Sequence, residues 1–210
     1  MRVRHPPGRA GRPWLAHRLE IARRGAELLD EKHRALLRER RRVEPIAREA
    51  RRQWESRARE AERWLLRAAM LGGERQLDIA GGAATEPAEV KVRWRTILGV
   101  TCPADAQVTA RVTPELSALG GSAALLSAAD AHRRALEAAA QLGVAEGALE
   151  RIEAELRETA LRRNAIERRW IPAHEAALAA LEVMLEELER EDGARVRRVT
   201  RAEDSGRAAR

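Results

Sequence analysis

The chain of 210 residues contains no Phe and no Tyr, and its aromatic residues are five Trp. Aromatic side chains bury the most area each, so their scarcity argues against a thick globular core. The single cysteine, Cys102, excludes an internal disulfide and a multi-cysteine zinc site, and it is typical of a reducing, cytoplasmic compartment. No apolar run reaches about 18 residues and no apolar segment follows the basic start, so neither a transmembrane helix nor a secretory signal is predicted.

Motifs for catalysis or cofactor binding are also missing. The sequence has no GxxxxGK[ST] phosphate loop and no dinucleotide-binding fingerprint. Its five His residues do not recur at metal-ligand spacing, and His33 and His174 fall on predicted packing positions, where a hydrogen-bonded core His is favoured over a ligand. Cys102 is interpreted as a small apolar packing residue. We therefore expect no catalytic residue, no cofactor and no metal.

Two long stripes of small and apolar residues are present instead, in a chain rich in Ala, Leu, Glu and Arg, a composition typical of long helices. Both follow a 3.5-residue spacing, which indicates a helix packed along its length against a partner. The first stripe consists of Leu15, Leu19, Ala22, Ala26, Leu29, Leu36, Val43, Ala47, Ala50, Trp54, Ala61, Trp64, Ala68 and Leu71, interrupted by His33, Arg40 and Arg57. The second consists of Leu142, Ala145, Leu149, Ile152 and Leu156, and resumes with Leu178, Leu181, Leu185 and Leu188.

The distribution of charge suggests how these helices pair. The net charge is +7, but residues 1–72 carry 20 basic and 10 acidic side chains, whereas residues 122–192 carry 9 and 15. Oppositely charged helices neutralise one another when they lie side by side, so we expect the chain to be its own partner, in antiparallel orientation. The basic cluster of Arg38 and residues 40–42 could bind phosphates, but pairing with the acidic helix is the favoured interpretation. The Arg-rich ends of the chain would then lie together as a contact surface for an anionic partner.

The predicted fold class is mainly α: a long two-helix antiparallel coiled coil with a small central β-containing knob. Its segments are a flexible start (residues 1–11), a first helix (12–72), the knob (73–121), a second helix (122–192) and a flexible basic tail (193–210). Pro45 is expected to kink or split the first helix, and the pair Gly72-Gly73 is expected to end it. Residues 166, 170, 174 and 178 of the second stripe are spaced by four, a stutter that relaxes a supercoil.

Local patterns define the knob and the start of the second helix. The alternation in residues 89–95 predicts a half-buried strand with Val90, Val92 and Trp94 on one face. Residues 97–101 would extend this strand or pair with it, and residues 107–112 form a second candidate strand. Ser122 is placed to cap the second helix.

Four segments, in matching order, resemble the D subunit of the A/V-type ATPases. They are residues 22–37 with Gly25, Leu28, Leu29 and Lys32; residues 64–74; residues 94–103; and residues 161–192 with Arg162, Arg163, Asn164, Ala165, Ile166, Glu167, Ile171, Pro172 and the run from Leu185 to Arg190. Pro45 departs from the pattern of that family. The resemblance implies a non-catalytic rotor axle that couples ATP hydrolysis or synthesis to rotation and to hydrogen-ion or other ion transport.

The same resemblance implies partners and a location. The expected partners are the catalytic A and B subunits, the F subunit and the membrane-ring-capping subunit (C or d type), with no nucleic acid and no direct membrane insertion. The complex would lie at the cytoplasmic face of the plasma membrane. Candidate partner-contact residues are Gly25, Leu29, Arg38, Arg41, Arg42, Asn164, Ile171, Pro172 and Leu188.

Two other functions remain open at this level. The stalk of a flagellar export apparatus would share the two long helices, although the knob and the Asn164/Pro172 segment argue against it. A nucleic-acid-binding or other scaffolding coiled coil would fit the high isoelectric point, and it predicts binding that weakens steeply with salt. The acidic second helix disfavours that function.

Overall fold

The computed structural model describes residues 3–82, 87–109 and 122–208, with side chains up to residue 201. Its elements are a 3-10 turn at Gly8–Ala10, helix α1 (Gly11–Gly72), helix α2 (Glu74–Gly82), strands β1 (Glu89–Ile97) and β2 (Val100–Thr109), helix α3 (Ala123–Ala165), a π-helical turn at Ile166–Trp170, and helix α4 (Ile171–Ala208). The predicted fold class, long paired helices with a small β element, is confirmed. Contacts divide the chain into a first unit, Met1–His33 with Glu158–Arg210, and a second unit, Arg34–Arg157.

Helix α1 is continuous through Pro45, which therefore does not split it. The helix ends where the glycine pair was predicted to end it: Gly73 adopts a φ of +76° and donates its backbone N–H to the carbonyl of Ala69 at 2.9 Å. A left-handed residue at this position is a common helix stop, because glycine has no Cβ to clash there. Helix α2, which follows directly, was not predicted, and it includes the Gly81–Gly82 pair.

In the first unit, the start of α1 packs along α4. Leu15, Leu19, Ala22 and Ala26 are buried as predicted, and so is Leu181 of α4. Gly11 lies at the closest approach, where an added Cβ would lie 2.5 Å from the carbonyl oxygen of Pro6 and 2.9 Å from Leu181 Cδ2. The small residue is therefore needed for the first turn of α1 to dock.

The predicted stutter lies where α3 passes into α4. The five residues Ile166–Trp170 form a π-helical turn, which accommodates one extra residue without interrupting the helix. Past it, His174 is buried and stacks on Trp170 with ring centroids 3.4 Å apart. The π turn therefore returns the apolar stripe to the packed face after the shift in spacing.

The second unit has a core made by α1, α3 and the turn end of the hairpin. Its buried cluster consists of Leu36, Val43, Val100, Cys102, Ala148, Ile152 and Leu156. A smaller cluster joins the end of α1 to α2 and to the start of α3 through Ala68, Ala124, Leu125 and Ala128. Ser122 caps α3 as predicted, since its Oγ accepts the Leu125 N–H at 3.3 Å.

Strands β1 and β2 form a two-stranded antiparallel sheet. A two-residue loop joins them, and both of its residues have positive φ, 52° at Leu98 and 82° at Gly99, as the type I′ hairpin turn requires. An irregularity in the register lies between Arg93 and Trp94. The strand predicted at residues 89–95 is confirmed, while the pairing strand begins at Val100, earlier than the candidate at residue 107, whose residues 110–112 lie outside the described part.

Several expectations about exposure and helix length were wrong. Val90, Val92 and Trp94 were predicted to be half-buried but are exposed, because β2 and not β1 packs on the helices. Leu188 and Leu71 depart from the stripe pattern and are exposed. Leu71 lies in the last turn of α1, which ends at Gly72, and Leu188 lies two helical turns beyond Leu181, the residue that Gly11 contacts. Helix α4 continues past Gly193 to Ala208, where i,i+3 and i,i+4 pairs of Arg195 with Asp192 and Glu191 offset the low helix propensity of one glycine.

Candidate functional site

Five ion pairs between the helices follow the predicted complementarity, with arginine from the α1 side and glutamate from α3 or α4. In the first unit these pairs are Arg9–Glu189 (3.0 Å), Arg12–Glu182 (3.1 Å) and Arg23–Glu175 (2.7 Å). In the second unit they are Arg40–Glu153 (2.9 Å) and Arg51–Glu146. In each unit, rising numbers on α1 meet falling numbers on the partner helix, which is the antiparallel arrangement. We call these five interhelical ion pairs the seam. Their charged side chains would otherwise be exposed to solvent or to a partner.

The arginines predicted as a cluster, Arg38 and residues 40–42, differ in whether they form ion pairs within the chain. Arg40 joins the seam, and Arg42 pairs with Glu39 at 2.6 Å on its own helix. The hydrogen bond from Arg42, helped by the charges of Arg42 and Arg95, lowers the pKa of Glu39 despite partial burial, and the pKa of Arg42 is raised in turn. Arg38 and Arg41 are exposed and form no salt bridge within the described residues. These two cations are therefore available to a partner.

The remaining predicted contact residues all lie in the first unit. Gly25 is helical, with open space where a Cβ would be, and Leu29, Asn164 and Ile171 are partly buried. Pro172 is exposed and lies directly after the π-helical turn, as the second residue of α4. Leu188 is exposed. Any role of these residues in binding a partner stays a prediction.

One ion pair missed at the sequence level links the turns that carry Leu29 and Asn164. Arg163 donates to Asp30 at 2.7 Å, and the two side chains are only 24% and 27% exposed. His33, one turn along α1 from Asp30, has a buried Nδ1 without a hydrogen-bond partner in the described region. Thr159 is buried one turn before Arg163. This polar layer interrupts the apolar stripe, and the break at His33 was its only signal in the sequence.

An apolar surface at the far end of α1 was also missed. Its exposed side chains are Leu65, Leu66, Met70, Leu71 and, on α2, Ile79. Met70 is 86% and Leu71 74% exposed. The segment WLLRAAML carries apolar residues around more than one face of the helix, and they cannot all face a single seam. That excess is the signal that could have identified this surface.

Two side chains of α3 donate hydrogen bonds to the backbone of strand β2. Gln141 donates to the carbonyl of Ala106 at 2.8 Å, and Arg151 donates to the carbonyl of Thr101 at 3.2 Å. Arg151 also stacks its guanidinium over the Trp94 ring, 4.9 Å from the centroid. Beside the strand, α1, β2 and α3 enclose a groove of about 680 Å³ whose apolar floor includes Val43 and Ala148.

Within the described residues, no three His, Cys, Asp or Glu side chains are grouped so as to hold a metal ion. Burial raises the pKa of the Cys102 thiol, with the charges of Arg151 and Arg95 opposing it, which favours a neutral packing role. Among the helices described, none is both long and apolar enough to cross a membrane.

Comparison with known proteins agrees with this picture. The sequence model of the family described as the ATP synthase D subunit matches residues 14–201. The D subunit of the A-type ATP synthase of Methanopyrus kandleri is 32% identical over 195 residues, which cover 88% of this chain and 81% of that protein. The D subunit of the V-type ATP synthase of Thermus thermophilus is 33% identical over 184 residues, with 86% and 81% covered. For the A-type D subunit of Thermococcus gammatolerans, the values are 30% over 188 residues, with 88% of each chain covered.

The family match spans nearly all of both paired helices and the hairpin between them, so it concerns the whole fold and not one helical segment. The resemblance noted in the sequence is thereby confirmed. The chain belongs to the ATP synthase D subunit family: it is a non-catalytic, peripheral component of a rotary ATPase complex and assembles with other subunits of that complex.

Proposed function

We propose that this protein is the central rotor axle of its complex, coupling ATP hydrolysis or synthesis in a ring of catalytic A and B subunits to rotation and ion transport. The observation that carries the proposal is the ion-paired seam. An axle must transmit torque through a fixed pair of helices, and interhelical pairs such as Arg23–Glu175 and Arg40–Glu153 hold the two helices of each unit in one register. The complex would lie at the cytoplasmic face of the plasma membrane.

The exposed arginines of α1 provide the proposed contact with the catalytic ring. Arg38 and Arg41 are free of salt bridges within the described region, so each can pair with a different ring carboxylate as the axle turns. Arg42 contributes less, because it is already paired with Glu39. Each exposed contact is worth roughly 0–1 kcal/mol, weak enough to exchange during rotation.

The apolar end of α1 provides the proposed seat on the subunit that caps the membrane ring. Met70 and Leu71 are 86% and 74% exposed, and the neighbouring Leu66 and Ile79 are exposed as well, at 59% and 49%. Such a surface on a folded domain typically marks a protein contact. The F subunit is the further partner expected along the axle.

The test is assembly and coupled activity of the complex. The tagged chain, co-expressed with the A, B, F and ring-capping subunits of its own complex, should recover all four. Charge reversal at both Arg38 and Arg41 should lower rotation-coupled ATPase activity while the complex still assembles. The matched control reverses Arg59, which is exposed on the same helix and paired locally with Glu55.

Met70→Ser combined with Leu71→Ser should weaken recovery of the ring-capping subunit and leave A and B bound. Unchanged coupling in the Arg38/Arg41 variant would refute the proposed ring contact. Recovery of nucleic acid without any ATPase subunit would refute the axle function and favour the nucleic-acid-binding alternative.

A further inference from the structure

The hairpin presents one strand to the helices and the other to solvent. In β2, Val100, Cys102 and Ala106 are buried, whereas eight of the nine residues of β1 are exposed. The edge of β2 that faces away from β1 is occupied, because Arg151 and Gln141 of α3 donate to its carbonyl groups. The outer edge of β1 is the opposite edge of the sheet.

The register shows which backbone groups of β1 point outward. Residues that flank a two-residue hairpin loop exchange hydrogen bonds, so Ile97 and Val100 form a bonded pair. Opposed residues then alternate between bonded pairs and pairs whose N–H and C=O groups point away from each other. Two pairs are of the second kind: Thr96 with Thr101, and Val92 with Ala106. This agrees with the hydrogen bonds to α3, because the outward carbonyl groups of Thr101 and Ala106 accept from Arg151 and Gln141.

The outward backbone groups of β1 therefore belong to Val90, Val92, Trp94 and Thr96. Within the described residues, the backbone of β1 hydrogen-bonds only to β2. A row of free donors and acceptors at strand spacing matches one kind of occupant, another extended backbone.

We propose that the outer edge of β1 is extended by a strand from another subunit, in which apolar residues alternate with Asp or Glu. The composition of β1 selects this chemistry. Val90, Val92 and Trp94 lie on one face of the strand, and Lys91, Arg93 and Arg95 lie on the other. Each of these three cations has a carboxylate of this chain nearby, Glu89 at 3.4 Å, Asp105 at 2.5 Å and Glu39 at 3.7 Å, yet their side chains stay 68%, 70% and 43% exposed and can meet a second carboxylate. An added strand places apolar side chains beside the first set and carboxylates beside the second, and opposed pairs of both kinds stabilise a sheet.

The same residues argue against a second copy of this chain as the occupant. Antiparallel pairing of β1 with its own copy would set basic side chains of the 91–95 segment opposite one another, and like charges directly opposite are destabilising. Basic residues on an edge strand are a known protection against self-pairing. Trp94 keeps surface available to a partner, since Arg151 lies over its ring and the residue stays 53% exposed.

The proposal rests on the proposed function only in that the partner is sought among the subunits of that complex. Residue-resolved hydrogen exchange on the isolated full chain and on the assembled complex tests it. In the isolated chain, the amides of Val92, Trp94 and Thr96 should exchange fast, while those of Arg93 and Arg95, which bond β2, are protected. In the complex all five should be protected.

Three other outcomes would each contradict a different statement: strand addition, the choice of partner, or the proposed function. Outward amides that remain fast in an assembled complex overturn strand addition and leave the axle proposal standing. Protection that grows with concentration in the isolated chain overturns the choice of partner and assigns the edge to a second copy. Failure to assemble at all would refute the proposed function itself.

Substitutions at the edge provide an independent test. Val92→Pro removes one outward N–H donor, and proline is tolerated on an edge strand whose N–H faces solvent. It should weaken binding of the partner subunit roughly tenfold, because the opposing acceptor is left unpaired. Val92→Ala, the control, keeps the donor and should weaken binding less.

Lys91→Glu should also weaken binding, whereas Lys91→Arg should not, because only the first change reverses the charge. Circular dichroism and the free energy of unfolding of each variant establish that the hairpin is intact. Equal binding by the Pro and Ala variants, with the hairpin folded in both, would exclude backbone pairing at this edge.

Discussion

The ion pair between Asp30 and Arg163 offers the sharpest test of how the helices are held together. Its atoms lie 2.7 Å apart, and its side chains are 27% and 24% exposed. The Arg9–Glu189 pair has the same chemistry at 3.0 Å, but its side chains are 80% and 62% exposed. Burial is therefore the variable that differs most between two interhelical pairs of one unit.

A double-mutant cycle with Asp30→Ala and Arg163→Ala should give a coupling energy of about 1–2 kcal/mol, because a charged hydrogen bond shielded from water is worth more than an exposed one. The control cycle at Arg9 and Glu189 should give at most about 0.5 kcal/mol. Asp30→Ala alone should lower the free energy of unfolding by about 2 kcal/mol, since it leaves Arg163 partly buried without its nearest carboxylate.

Urea unfolding followed by circular dichroism measures these energies, with an unchanged m value as the condition for comparing them. Raising the salt concentration should reduce the coupling at Arg9–Glu189 and leave most of that at Asp30–Arg163. Equal coupling energies in the two cycles, or a larger one at the exposed pair, would refute the argument from burial.

Three further predictions concern the second unit. Ile152→Ala should lower the free energy of unfolding by about 2–5 kcal/mol, because the side chain is fully buried, whereas the exposed Ile46→Ala should change it by less than about 0.5 kcal/mol, both measured by urea unfolding. Leu98→Asn should raise the melting temperature, since Asn tolerates the positive φ of the hairpin loop better than Leu; a lower value would contradict the assigned turn. The lowered pKa of Glu39 means that its pairing with Arg42 contributes stability at neutral pH, which is lost as pH falls through the folded-state pKa; Glu39→Gln should flatten the acid side of the stability profile.

Comparison of particular elements shows why some features could be read from the sequence. The stutter at residues 166–178 predicted a local change of helix geometry, and the π turn lies there, because the spacing of apolar residues must match the helix that buries them. The cap at Ser122 and the stop at Gly73 were likewise local: one hydroxyl and one missing Cβ decide them.

The surfaces were harder to predict. The alternation of Val90, Val92 and Trp94 indicated that β1 has two different faces, but alternation does not say which strand of a hairpin lies against the helices. The apolar stripe likewise continued through Leu71 and Leu188, although both side chains are exposed in the structure.

The sequence by itself determined the helical pairing, its antiparallel sense and its division of charge, because periodicity and the sign of charge are properties of the chain. Only the tertiary structure decided which arginines are used in the seam and which are left over. Arg40 and Arg42 form ion pairs with Glu153 and Glu39, while their neighbours Arg38 and Arg41 stay exposed. The physical reason is that an ion pair depends on the position of its partner atom to within an ångström, and residues far apart in sequence acquire that position only when the helices pack.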